Sequence, residues 1–148
     1  MIKSNFHIIK LDIKKTKNKK GWLLPFHFLN SLNKDNQLPI KVKRVFVIGG
    51  VKKGDIRGEH ALFKTNQVIV VLKGEVILEL DNGRNKKKIL LQNPQKAILV
   101  EPLIWRTLKI LEDDTLILVF CDREHNEKDY IRNYENFIQQ VRKKIYRK

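Results

Sequence analysis

Cysteine is nearly absent: Cys121 stands alone among 148 residues, so no internal disulfide can form and no second thiol is at hand for a zinc site. Long apolar runs are missing too, none approaching the roughly 20 residues that span a bilayer. Met1 to Asn5 lead into no signal-peptide core, and the expected address is cytoplasmic, away from membranes. Acidic residues are scarce, 16 against 31 Lys plus Arg, which leaves a formal net charge of +15. Aromatics amount to 8%, and the strand-like runs carry Val, Ile and Leu where base-stacking readers of nucleic acid interleave aromatics with basic residues. The surplus charge attracts polyanions, but it is mostly lysine, and its densest runs (Lys14–Lys20, Arg84–Lys88, Arg142–Lys148) fall in a loop, a hairpin end and a helix tail. These read as solvated faces, and nucleic acid is not the expected partner.

What is present is core material, with 42% hydrophobic residues in a length that suits one domain, residues 1–148. From Lys43 on, short β-branched runs alternate with turn signals: Arg44 to Ile48, Gln67 to Leu72, Glu75 to Asp81, Lys88 to Leu91, Ala97 to Val100, Ile104 to Leu111 and Thr115 to Phe120. Strands of this length and spacing predict an all-β sandwich or barrel over about residues 40–122. Asn82-Gly83 predicts a tight primed turn between two strands, and Lys73-Gly74 is read as closing the pair before it. Glu75 to Leu80 alternates only in part and is expected to be covered on both faces. Asn5 to Ile13 is a candidate edge strand, while Trp22, Phe26 and Phe28 are expected against the barrel or a partner subunit. Ile131, Tyr134, Phe137, Ile138, Val141 and Ile145 recur at three- and four-residue steps, predicting a terminal helix over about residues 129–146.

The segment that carries chemistry is Gly54-Asp55-Ile56-Arg57-Gly58-Glu59-His60-Ala61-Leu62, followed by Gln67 and Gly74. Gly, five residues, His, one residue, a slot, four residues, a second slot, six residues, Gly is the frame of the first cupin motif. In metal-binding cupins the slots hold His and Glu; here they hold Leu62 and Gln67, and Pro102 to Arg106 offers no histidine for the second motif. One imidazole does not make a metal site, so neither metal nor cofactor is expected. Arg44-Val45-Phe46, Arg57-Gly58-Glu59-His60-Ala61, Gln67, Pro102, Trp105 and Glu127-Lys128-Asp129-Tyr130-Ile131-Arg132-Asn133-Tyr134 together resemble the sugar 3,4-ketoisomerase family, in particular its FdtA and QdtA members.

The resemblance implies a cupin jelly roll with a carboxyl-terminal helix, a cofactor-free cytoplasmic homodimer, and conversion of a dTDP-linked 4-keto-6-deoxyglucose into its 3-keto isomer for 3-amino sugars of surface polysaccharide. That reaction takes a proton from the carbon beside a carbonyl, and a near-neutral histidine is the natural base. By resemblance His60 inherits the first histidine of the family's pair. Leu62 replaces the second, Phe46 a tyrosine, and His125 a later tyrosine. Arg57 and Arg106 are candidates to hold a diphosphate or a developing oxyanion, or else form structural ion pairs. Trp105 stacks on thymine or sugar, or is core; Gln67 orients substrate or satisfies a buried neighbour. His7, His27 and His125 are assigned to the surface and Cys121 to the core as a small hydrophobe. Three functional readings stay open: an isomerase using His60 with water or substrate hydroxyls as second relay, a family member that binds a sugar nucleotide or partner without turnover, and a basic nucleic-acid-associated protein.

Overall fold

A computed structural model describes residues 6–15, 17, 18 and 20–147. Met1–Asn5, the Thr16 and Lys19 of the first basic run and the Lys148 of the last lie outside the described residues. In chain order the strands are β1 (Phe6–Lys10), β2 (Lys14–Lys15), β3 (Trp22–Leu23), β4 (Arg44–Ile48), β5 (Ile56–Leu62), β6 (Gln67–Lys73), β7 (Glu75–Asp81), β8 (Lys86–Gln92), β9 (Lys96–Val100), β10 (Trp105–Ile110), β11 (Leu116–Cys121) and β12 (Tyr130–Ile131), followed by helix α1 (Tyr134–Tyr146). They pair as β1-β9-β6-β11-β4 and β12-β5-β10-β7-β8, two five-stranded sheets, with β2 and β3 as a separate ribbon. The fold is a jelly-roll β sandwich of the cupin type with one carboxyl-terminal helix.

Alternation along the strands builds the core between the sheets. Ile69 and Val71 of β6, Ile98 and Val100 of β9 and Ile117 and Val119 of β11 meet Val76, Leu78 and Leu80 of β7, Leu91 of β8 and Leu108 and Ile110 of β10. The other face of the first sheet is covered as well: Val68, Val70, Ala97 and Phe120 pack under Leu11, Leu38 and Ile40 of the amino-terminal arm. The unbroken apolar run is thus explained by β6, buried on both faces. In β7, by contrast, Glu75, Ile77 and Glu79 are half-exposed, and Glu79 pairs with Lys86 and Lys88 at 3.6 Å; the expectation of cover on both faces fails there.

Two turn readings and the start of the helix are corrected. Lys73-Gly74 does not close a pair, because β6 and β7 belong to different sheets; it is the corner where the chain crosses over. Gly74 has φ +84°, and a Cβ there would sit 2.1 Å from Thr115 Oγ1 and 2.9 Å from Thr115 Cα, so glycine is required twice over. The β7–β8 hairpin does form, but its register leaves residues 82–85 as the loop, and Gly83 alone of the Asn-Gly pair has positive φ. The helix begins at Tyr134, not near 129: Asn133 caps it by accepting from Asn136 N at 2.8 Å, and the chain ahead of the cap is a short turn and then β12. Ile131 therefore belongs to a strand, and Phe137 is the buried anchor of α1, packed with Ala61, Ile131 and Trp105. The amino-terminal apolar residues divide. Phe26 stacks on Phe120 at 4.9 Å between centroids, whereas Trp22, Phe28 and Leu32 remain exposed.

Candidate active site

β5, not recognised as a strand from the sequence, carries the motif, and its backbone is irregular there. Arg106 of β10 faces His60 while Thr107 faces Gly58, which leaves Glu59 as the extra residue of a β-bulge. Gly58 (φ 84°) and Glu59 (φ 54°) both take left-handed conformations, and a Cβ on Gly58 would come within 2.8 Å of the Arg106 carbonyl oxygen. The glycine of the Arg-Gly-Glu-His run is there so that the two strands can close on each other.

The bulge sets His60 opposite Arg106 and brings its Nδ1 to 3.0 Å from the Gly58 carbonyl oxygen. A carbonyl only accepts, so in the neutral ring Nδ1 carries the hydrogen and Nε2 keeps its lone pair. Nε2 is buried and has no partner. Burial first, and the Arg106 charge second, pull the His60 pKa down to about 4, which keeps the imidazole neutral at ordinary pH.

Arg106 is fully buried. It donates from Nη1 to Gln67 Oε1 at 2.6 Å and from Nη2 to the Ile104 carbonyl at 2.9 Å, and its Nε has no partner. Burial lowers its pKa to about 10, so it remains a cation. Among the described residues no carboxylate pairs with it. Gln67 is locked in turn, its Nε2 lying 3.5 Å from Cys121 Sγ, the sulfur that Arg44 Nη2 also approaches at 3.5 Å. Cys121 is buried as expected, and it backs Gln67 from behind.

His60, Gln67 and Arg106 line a cavity of about 60 Å³ together with Phe46, Val119 and Tyr130. The donor set does not suit a metal cation, since the one imidazole nitrogen available lies beside a guanidinium that repels positive charge. An anion fits better. Beyond Tyr130 a wide depression of about 750 Å³ is lined by Lys43, Lys64, Arg123 and Lys128, with Glu124 and Asp129 among them.

Of the residues singled out from the sequence, His60, Gln67 and Arg106 converge on the cavity. Arg57 does not: its side chain is exposed, 3.0 Å from the Ile56 carbonyl and 3.4 Å from Asp55 Oδ2, the structural pairing weighed for it above. Trp105 lies against Tyr134 and Phe137 of α1 (5.2 and 5.6 Å between centroids), on the helix side. His7 and His125 are exposed beside Glu101 and Glu127, whereas His27 is half-buried, its Nδ1 2.7 Å from the Asp35 carbonyl. Sequence reasoning passed over one lining residue, Tyr130, and one neighbour of the site, Arg44. Arg44 shares an inward face with Phe46 by simple alternation, a signal that was readable. Tyr130 was hidden in what read as a helix start.

The chain matches the family model described as "FdtA: WxcM-like, C-terminal" over residues 4–142. It is 30% identical over 133 residues, 90% of this chain and 91% of the relative, to a TDP-4-oxo-6-deoxy-alpha-D-glucose-3,4-oxoisomerase of Aneurinibacillus thermoaerophilus. Its fold superposes on QdtA, a sugar 3,4-ketoisomerase from Thermoanaerobacterium thermosaccharolyticum in complex with TDP, with TM-score 0.83 and 31% identity, covering 97% of this chain and 98% of that one. A variant of the same enzyme in complex with TDP-4-keto-6-deoxyglucose matches with TM-score 0.82 and 31% identity over 97% of each chain. With the His60 motif, the jelly roll and the full-length match in agreement, the chain belongs to the FdtA, WxcM-like family.

Proposed function

We propose that the protein is a 3,4-ketoisomerase acting on a TDP-linked 4-keto-6-deoxyhexose, with His60 as the base that moves the carbon-bound proton. The observation that carries this reading is the buried, unpartnered Nε2 of His60 facing a cavity walled by an unpaired Arg106 guanidinium. His60 takes the proton from C3; the C–H electrons form the C3=C4 bond, and the carbonyl π electrons pass to O4. The new oxyanion develops beside Arg106, whose charge is already in place and needs no reorganisation. As the O3 proton passes to O4, the O3–H electrons form C3=O, the C3=C4 electrons move to C4, and His60 returns its proton there. No oxidant or reductant is consumed.

Ligand pockets for molecules of drug size run to about 300–1,000 Å³, so a cavity of about 60 Å³ admits only the reacting edge of the sugar. The nucleotide lies outside it, and the basic depression beside β12 supports a diphosphate there. The relative's substrate and the TDP complexes of QdtA support the nucleotide assignment. We place the protein in the cytoplasm, where a nucleotide sugar is made, as the source of a 3-keto sugar for a later aminotransferase and for surface polysaccharide. We further assign it a homodimer, supported by exposed Val45 and Val47 on the open edge strand β4 and by exposed Trp22, Leu23 and Phe28 of the amino-terminal arm.

The test is proton NMR of TDP-4-keto-6-deoxyglucose with the protein in deuterium oxide. Loss of the C3 proton signal with appearance of a 3-keto product is expected. Binding of TDP with neither exchange nor product would replace the isomerase by a sugar-nucleotide binder without turnover. Oligonucleotide affinity far above TDP affinity, falling steeply with salt, would overturn both.

A further inference from the structure

Moving the ketone exchanges two protons, one between carbons and one between oxygens, and His60 accounts for the first. The second histidine slot of the cupin frame holds Leu62, a hydrocarbon that carries no proton. Opposite Leu62 in the β5–β12 pairing stands Tyr130, and facing residues of an antiparallel pair put their side chains on the same side. The Tyr130 ring lies 4.9 Å from the His60 ring and lines the same cavity. Arg44 lies near enough to act electrostatically on its phenol, and Arg132 sits over the ring face at 4.5 Å. β12 is pinned in place by Asp129, whose carboxylate accepts from the Lys64 backbone N–H at 2.8 Å and from the Thr65 hydroxyl. The phenol is thus held next to the base, under one guanidinium, at the edge of the cavity where a substrate hydroxyl would lie.

We propose that Tyr130 is a second catalytic residue, carrying the hydroxyl proton from O3 to O4 while His60 carries the carbon-bound proton from C3 to C4. This rests on the ketoisomerase reading above. In the first half the C3–H bond breaks toward His60 Nε2, the oxyanion at O4 develops beside Arg106, and it then takes the phenol's proton, leaving an enediol and a tyrosinate near Arg44. In the second half the tyrosinate takes the O3 proton, C3=O forms, and C4 recovers a proton from the imidazolium. Every proton and electron pair is returned, and both side chains end as they began.

The experiment measures C3 exchange and product formation in the same deuterium oxide reaction with TDP-4-keto-6-deoxyglucose, for the wild-type chain, Tyr130→Phe and His60→Asn. Phenylalanine keeps the ring against His60 and Arg132, so packing survives the change. The expected result is a loss of product formation of about 100-fold in Tyr130→Phe, with C3 exchange reduced about tenfold or less, so that the ratio of exchange to product rises at least about tenfold. His60→Asn loses both. Arg44→Gln, which leaves the phenol in place, shifts the ratio in the same direction. An unchanged ratio in Tyr130→Phe and Arg44→Gln, whether both rates persist or fall together, overturns the proposal and leaves the isomerase standing. A wild-type chain with neither exchange nor product overturns the isomerase reading and this one with it.

Discussion

The depressed pKa of His60 makes folding stability depend on pH in a way that one substitution can isolate. Taking about 6.5 for the unfolded chain and about 4 for the folded one, the unfolded chain binds the proton first as pH falls. Stability attached to this group is therefore whole above 6.5, drains away as pH falls toward 4, and levels off once the folded form protonates too. Integrating the linkage relation, the loss is roughly 1.4 kcal/mol at about pH 5.5 and roughly 2.6 kcal/mol at about pH 4.5, with a ceiling of about 3.4 kcal/mol. Many other groups titrate over the same range, so the raw slope is not diagnostic. Urea unfolding of the wild-type chain and of His60→Gln at several pH values between 7 and 4.5 cancels them in the difference. The wild-type chain should lose about 2–2.5 kcal/mol more than the variant across that interval. Curves that run parallel to within about 0.5 kcal/mol would show that His60 protonates freely in the folded chain, and with it the argument from burial and Arg106 would fall.

Other consequences follow from the same contacts. Arg106→Met removes a buried cation without a counter-ion, which favours folding, but strands Gln67 Oε1 and the Ile104 carbonyl; the two effects leave stability within about 1 kcal/mol of wild type, while kcat drops about 100-fold or more for want of oxyanion stabilisation. A kcat close to wild type would remove Arg106 from the chemistry. Gly74→Ala puts a methyl into Thr115 at a φ that alanine avoids, and thermal or urea unfolding should register a loss above about 2 kcal/mol; a loss under about 0.5 kcal/mol would mean that the corner yields. Charge reversal at Lys64 and Arg123 in the basic depression should raise KM for the TDP sugar about tenfold and leave kcat little changed, an effect that fades at high salt. An unaltered KM would place the diphosphate elsewhere.

The barrel was legible because alternation is a local property: most strands from β4 to β11 announced themselves by period-two runs and turn residues. β5 did not, since its motif is charged, glycine-bearing and bulged, and a bulge breaks the pattern that strand reading relies on. The Lys73-Gly74 corner shows a second limit. Two adjacent apolar runs read as a hairpin, and only the tertiary arrangement assigns them to different sheets. At the other end, Ile131 fell in step with the helical stripe by coincidence of spacing; the cap at Asn133 was the better signal. Within the site, His60, Gln67 and Arg106 could be named from sequence because a motif or a slot marked them. Arg57 and Trp105 were equally plausible on residue type, and where each side chain lies is decided by the exposed pairing with Asp55 in one case and packing on α1 in the other. Tyr130 could not have been found this way, because its role depends on β12 pairing with β5, two residues of strand that no periodicity reveals.

As the proposed base, His60 with a pKa near 4 is weak for deprotonating carbon, yet that value does not include the charge the reaction creates. Proton transfer from C3 creates an imidazolium and an enediolate together, next to an Arg106 that is already charged. Before transfer the cavity holds one cation and a neutral ketone. After it, an anion lies between two cations. Arg106 raises the energy of the imidazolium and lowers that of the oxyanion; of the two the oxyanion, developing at an unpaired guanidinium, is the stronger contact, because the imidazolium is one strand pairing away while the substrate oxygen can reach hydrogen-bond distance. In the proposed reaction the guanidinium that weakens His60 as a base thus strengthens it as a partner, and it does so only when negative charge appears. Such an arrangement binds the neutral ketone weakly and the enediolate tightly, which is the difference that lowers a barrier. The unpaired, fully buried Arg106 is costly for folding and useful for that difference alone.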